Sequence, residues 1–137
     1  MTHLAVEKIL WLKPGKGVAA SGHIPEKSEF FKDHFPALPV LPGVLALEML
    51  KQTAESYLRS TDANQQHFFL KQIRATKFSI YLKPGDEWES QLELVSEEHG
   101  ETHWNARLFH KGQVAVTAQL TLAASRMPQL QTVSEGG

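Results

Sequence analysis

Apolar and polar positions alternate strictly along much of the C-terminal half of the chain. Trp88, Ser90, Leu92 and Leu94 alternate with Glu87, Glu89, Gln91 and Glu93, a period of two that predicts a half-buried strand. Val114, Val116, Ala118, Leu120 and Leu122 repeat that period and predict the inner face of a last strand. Between them, Glu98-His99-Gly100-Glu101 and His110-Lys111-Gly112-Gln113 predict turns that join antiparallel neighbours. Upstream, His67 to Tyr81 reads as one long strand, continuous or bent, followed by the turn Lys83-Pro84-Gly85-Asp86. Near the N-terminus, Ala5 to Leu12 is strand-like and Lys13-Pro14-Gly15-Lys16-Gly17 carries strong turn chemistry. Val18 to Ile24 then predicts the returning strand of a hairpin, ended by Pro25.

The pattern changes between the hairpin and the later strands. Ser28 to Lys32 predicts a short helical or irregular piece carrying Phe30 and Phe31. Prolines then recur at every third residue, at Pro36, Pro39 and Pro42. Each fixes its own φ and pushes the preceding residue toward extended geometry, so the segment is stiff and close to polyproline II. Val44 to Arg59 is rich in helix formers, with Pro42 placed where a first-turn proline is tolerated. Its first half, Val44 to Leu50, is apolar on all sides except at Glu48, which predicts a buried helix; from Lys51 onward it reaches the surface. Ser60 to Asn64 reads as a loop. From Ser125 the pattern dissolves, and 125–137 is expected to be a flexible tail. The whole, 1–137, reads as a single α+β domain: a curved antiparallel sheet wrapped around one long central helix, which a single sheet must cover on most sides. Exposed sheet edges favour pairing between subunits.

Composition narrows the functions without choosing one. The chain has 137 residues, 42% hydrophobic and 21% charged, with a net charge of -1, which gives no strong pull on nucleic acid or anionic membrane. Cysteine is absent, which excludes disulfides and thiolate chemistry. No apolar run approaches membrane-spanning length, and the first residues lack a signal-peptide layout, so the expected location is the cytoplasm.

Three residues could carry chemistry. Glu48 in an apolar helix is costly to bury ionised, and a structural glutamate bonded to backbone or water explains it as well as a catalytic one. His34 lies between Phe31 and Phe35. Any one of the seven histidines is more often structural or exposed, but the proline-stiffened strand behind His34 would hold it rigidly, as catalysis requires. Gly43 stands at the helix N-terminus, where free N–H groups and the positive dipole end point outward. A carbonyl could be polarised there, although a tight entry turn accounts for the glycine equally.

His34-Phe35-Pro36-x-x-Pro39-x-x-Pro42-Gly43-Val44-Leu45-x-x-Glu48 resembles the signature of the FabZ-type (3R)-hydroxyacyl-acyl-carrier-protein dehydratases. Gln52 also matches, as does a second block, Lys77-Phe78-Ser79-Ile80-Tyr81-Leu82-Lys83-Pro84-Gly85-Asp86. The resemblance covers nearly the whole chain and implies the hot-dog fold. It implies reversible dehydration of (3R)-hydroxyacyl thioesters to trans-2-enoyl thioesters, in fatty-acid or specialised lipid or polyketide-like synthesis. His34 would be the general base at C2. Glu48, kept partly protonated by burial, would be the general acid for the departing 3-hydroxyl. The Gly43 and Val44 amides would polarise the thioester carbonyl, with Pro42 and Gln52 in support. No metal, nucleotide or organic cofactor is implied. The expected partners are a carrier-protein-bound phosphopantetheine thioester and a second copy of the chain, in a homodimer or a higher dimer-based assembly in which His34 faces Glu48 of the partner subunit. Phe30, Phe31, Phe35, Phe78 and Tyr81 would line or gate an acyl tunnel, or fill the core.

Two departures stand out. Ala37-Leu38 replaces the family's Gly-Arg, removing a cation near the site mouth, and Lys51 stands where the family has small residues; it is expected to snorkel to the surface. Both suggest a specialised relative, serving a polyketide-like or polyene lipid pathway. The rival functions are a thioesterase on the same fold and a non-catalytic acyl-binding subunit. An SH3-type proline ligand at Pro39-Val40-Leu41-Pro42 is disfavoured by its apolar flanks, and the scattered histidines lack metal-ligand spacing.

Overall fold

The computed structural model describes residues 6–25, 43–61 and 67–125. The expectations for Ser28–Lys32, for His34 through Pro42, and for the tail beyond Ser125 lie outside the described residues.

Among the described residues, six strands and one helix follow in the order β1 (Lys8–Lys13), β2 (Gly17–His23), α1 (Gly43–Thr61), β3 (His67–Phe78), β4 (Glu87–Glu98), β5 (Glu101–His110) and β6 (Gln113–Ser125). They form a single antiparallel sheet in the order β1-β2-β4-β5-β6-β3. The sheet packs on α1, the arrangement of a hot-dog fold. Alternation along β4 buries Trp88, Ser90 and Leu92 against the helix and leaves their neighbours outside. On β5 the inner set is Thr102, Trp104, Ala106 and Leu108. The helix answers with Ala46, Met49, Leu50, Thr53, Ala54, Tyr57 and Leu58, a three-and-four spacing that keeps one stripe against the sheet.

Most polar groups inside this core are paired, as burial favours; the indole N–H of Trp88 is the exception among the described residues. Thr53 Oγ1 lies 2.7 Å from Ser90 Oγ, which accounts for a serine on the inner face of β4. Trp104 meets Tyr57 edge to face at 5.1 Å and donates its indole N–H to Thr102 Oγ1 at 2.9 Å. The Gly15 amide donates to the Tyr57 hydroxyl at 2.8 Å, tying the first hairpin turn to the helix.

Three expectations need correcting. Ser60 and Thr61, expected to open a loop, still belong to α1, where the Thr61 hydroxyl donates to Tyr57 O at 2.9 Å. The stretch Val44–Leu50 is not buried all round: one sheet covers only one face of α1, so Val44 is 70% exposed and Glu48 is half-buried. Val114 does not belong to the inner face of β6. Leu108 pairs with Val116 but Phe109 pairs with Val114, so Ala115 is an extra residue in a bulge. Ala115 is buried and Val114 is exposed. The bulged carbonyl is used: Ala115 O accepts from the amides of Ser79, at 2.7 Å, and Ile80, at 3.2 Å, drawing the end of β3 onto β6.

Gly17, at the start of β2, leaves no room for a side chain against β4. A Cβ there would stand 2.2 Å from the Leu92 carbonyl oxygen, which is backbone and cannot rotate away. Gly17→Ala is therefore expected to cost ~1–3 kcal/mol, read as a lower denaturation midpoint; an unchanged midpoint would show that the two strands separate freely.

Candidate active site

The second family-like block builds the ground on which the first stands. At the end of β2, Ile24 N–H donates to Asp86 O at 2.7 Å and Gly85 N–H donates to Ile24 O at 2.8 Å. Asp86 Oδ2 accepts from the Lys83 amide at 2.8 Å, closing the turn around Gly85, whose φ of 85° suits glycine. The Pro84-Gly85-Asp86 turn thus anchors β2 just before the chain enters the segment containing His34. Phe78, from the same block, lies against Gly43: a Cβ on Gly43 would be 2.8 Å from Phe78 Cζ. Phe78 in turn stacks on Tyr81, ring centroids 6.2 Å apart. Phe78 is half-buried against the core while Tyr81 is 56% exposed.

The helix begins at Gly43, so the Gly43 and Val44 amides belong to the first turn, whose N–H groups have no partner within the helix. Downstream, Val44, Glu48, Lys51, Gln52 and Glu55 recur at three- and four-residue intervals and share one face. Both carboxylate oxygens of Glu48 are occupied. Lys51 Nζ is 3.3 Å from Oε1, and Gln52 Nε2 donates to Oε2 at 3.1 Å. Gln52 is itself oriented from outside the helix, because its Oε1 accepts from the Val6 amide at 3.2 Å. Lys51 also reaches Glu55 Oε2 at 3.8 Å. Burial raises the pKa of Glu55 above the ordinary carboxylate value; the Lys51 cation opposes this and the Glu48 charge adds to it. Glu48, Gln52 and Glu55 line a cleft of about 480 Å³ between α1 and the start of β1, bounded also by Val6, Glu7, Lys8, Ile9, Ser56 and Arg59.

The structure therefore brings Gly43, Val44, Glu48 and Gln52 onto one helix, with the carboxylate in the lining of a cleft and the first-turn amides a turn away. His34 and Pro42 lie outside the described residues. Lys51 does not simply run out to solvent; it is recruited to Glu48. The i,i+3 spacing of Glu48 and Lys51 was available in the sequence, but the Val6 contact spans 46 residues and has no local signal. The pressing of Phe78 on Gly43 was equally invisible. Chemically, the arrangement offers a positioned carboxylate for proton exchange and N–H dipoles for a carbonyl oxygen.

Residues 12–119 match the ApeI-like family, described as ApeI dehydratase. Among curated relatives, the 3-hydroxyacyl-[acyl-carrier-protein] dehydratase FabZ of Albidiferax ferrireducens is 30% identical over 128 residues, covering 90% of this chain and 85% of that protein. FabZ of Janthinobacterium sp. is 32% identical over 137 residues, covering 96% and 83%. Among solved structures, the dehydratase heterocomplex ApeI:P from Xenorhabdus doucetiae superposes with a TM-score of 0.74 at 16% identity, covering 93% of this chain and 88% of that one. The fluoroacetyl-CoA thioesterase FlK superposes with a TM-score of 0.73 at 10% identity, covering 92% and 97%. At such identities the superpositions establish the fold alone, and a dehydratase and a thioesterase share it equally well.

Proposed function

The chain belongs to the ApeI-like dehydratase family, and from that premise we propose that it interconverts (3R)-hydroxyacyl and trans-2-enoyl thioesters carried on acyl carrier protein. The supporting observation is the helix that presents a half-exposed, doubly held Glu48 a turn beyond the first-turn amides of Gly43 and Val44. In the dehydration direction, His34 takes the C2 proton of the thioester. The carbonyl oxygen, where enolate-like charge develops, lies at the helix N-terminus, where the dipole and unpaired N–H groups favour negative charge. Glu48, having taken up a proton from solvent at its exposed side, delivers it to the 3-hydroxyl as that group leaves as water, and returns to the carboxylate held by Lys51 and Gln52. The same groups act in reverse for hydration, so Glu48 must exchange a proton with the reacting oxygen in either direction.

One chain leaves Val44 exposed and Glu48 half-exposed, which fits a site completed by a second subunit, with His34 facing Glu48 of the partner subunit. The partner is proposed to be a second copy of this chain. The dehydratase heterocomplex named for the Xenorhabdus structure makes an unlike subunit the alternative occupant, and the mass of the active species decides between them. Cytoplasmic location and a polyketide-like or polyene lipid pathway belong to the same proposal; among the described residues no helix is long and apolar enough to cross a membrane.

The direct test offers a short enoyl thioester and its (3R)-hydroxy partner on carrier protein and follows free thiol in the same tube. Interconversion without thiol release is the expected result. Thiol release without interconversion would identify a thioesterase, and the dehydratase reading would fall.

A further inference from the structure

The groups around Glu48 are arranged in an order that the proposed reaction does not by itself require. One carboxylate oxygen accepts from Gln52, whose amide can turn only one way because its own oxygen is held by the Val6 main chain. The other oxygen faces Lys51 Nζ at 3.3 Å. Lys51 is also within 3.8 Å of Glu55, so its ammonium is fixed from two sides along the helix. Its side chain is 27% exposed, against 38% for Glu48, so both partners are in part withdrawn from solvent. Lys8 and Arg59 add positive charge to the cleft and Glu7 adds negative charge, but no described contact links them to Glu48.

We propose that Lys51 is a positioning residue for the reaction, fixing the rotamer of Glu48 by holding Oε1 while Gln52 holds Oε2. The inference rests on the reading of Glu48 as the acid–base group and deepens it. A carboxylate gripped at one oxygen only can rotate about its terminal torsion, which is broad and soft. Gripped at both, it presents a fixed edge to a substrate approaching along the exposed stripe. A surface pair of this kind contributes little to folding, so a stability effect and a catalytic effect separate cleanly.

The test compares Lys51→Met, Lys51→Gln and Lys51→Arg in the full chain, with the carrier-protein thioester as probe. The two neutral variants are expected to lower kcat on the order of 10-fold, less than the ~10²-fold that a displacement of about 1 Å can cost, with KM and the melting midpoint unchanged. Lys51→Arg, which restores a cation of similar reach, recovers most of the turnover. In a Glu48→Gln background, Lys51→Met should change the residual rate no further, since residues acting as a unit are non-additive. Unchanged kcat in both neutral variants overturns the proposal. So does a rise in KM alone, which would make Lys51 a substrate contact, and so does an equal loss in the Glu48→Gln background. If Glu48→Gln is itself fully active, the reading of the site fails rather than the role of Lys51 within it.

Discussion

Glu48→Gln and His34→Ala are each expected to reduce turnover by ~10²–10⁴-fold, the usual cost of removing a general acid or base. For Glu48→Gln the argument is chemical, because the substitution is nearly isosteric. The amide oxygen of Gln at position 48 can still accept from Gln52 or Lys51, and Lys51 keeps its second partner, Glu55. What disappears is the ability to exchange a proton with the 3-oxygen. Since Glu48 is half-buried and is not one of the buried residues of α1, folding stability should move by no more than ~0.5 kcal/mol. Loss of turnover at an unchanged melting midpoint is therefore the predicted signature. His34→Ala should behave alike in turnover. If the site is shared between subunits, mixing the two inactive variants should restore part of the activity, because a mixed dimer holds one site with both groups intact. Full activity in either single variant would remove that residue from the mechanism.

Much of the fold was legible because its signals are local. The period of two along Glu87–Leu94, the glycine turns at Gly100 and Gly112, and the helix starting at Gly43 each follow from neighbouring residues. The errors arose where tertiary geometry decides. The bulge at Ala115 shifts the inner face of β6 by one residue, and nothing in Gln113–Val116 announces it. The half-exposure of Glu48 depends on how many sides of α1 one sheet can cover, which is a property of the whole domain. At the site, residue type and place made Glu48 and Gly43 candidates, and Gln52 entered only through the family resemblance. The clamp on Glu48 was not legible, because its outer anchor, the Val6 amide, arrives from the far end of the hairpin. The partnership of Lys51 lay within reach of an i,i+3 rule, but an unusual cation on a helix is more readily assigned to solvent.

Gly43→Ala is expected to lower turnover by ~10²-fold and stability by ~1–3 kcal/mol, opposite in sign to helix propensity, in which alanine exceeds glycine by ~1 kcal/mol. The reason is the Phe78 ring: the new Cβ would lie 2.8 Å from Cζ and 2.9 Å from Cε1. Two responses are open. Phe78 can swing toward Tyr81, which is largely exposed and can move with it, or the first turn of α1 can lift off the ring. Lifting would displace the Gly43 and Val44 amides relative to Glu48, and a polarising site is sensitive to displacements of that order. Trimming the ring separates the causes. If Gly43→Ala combined with Phe78→Leu regains stability and turnover together, the ring against the glycine sets the position of the amides. If stability returns and turnover does not, the space above Gly43 is needed by the thioester itself, and the glycine is there for the substrate. Wild-type turnover in Gly43→Ala alone would show that neither holds, and that the carbonyl is polarised elsewhere.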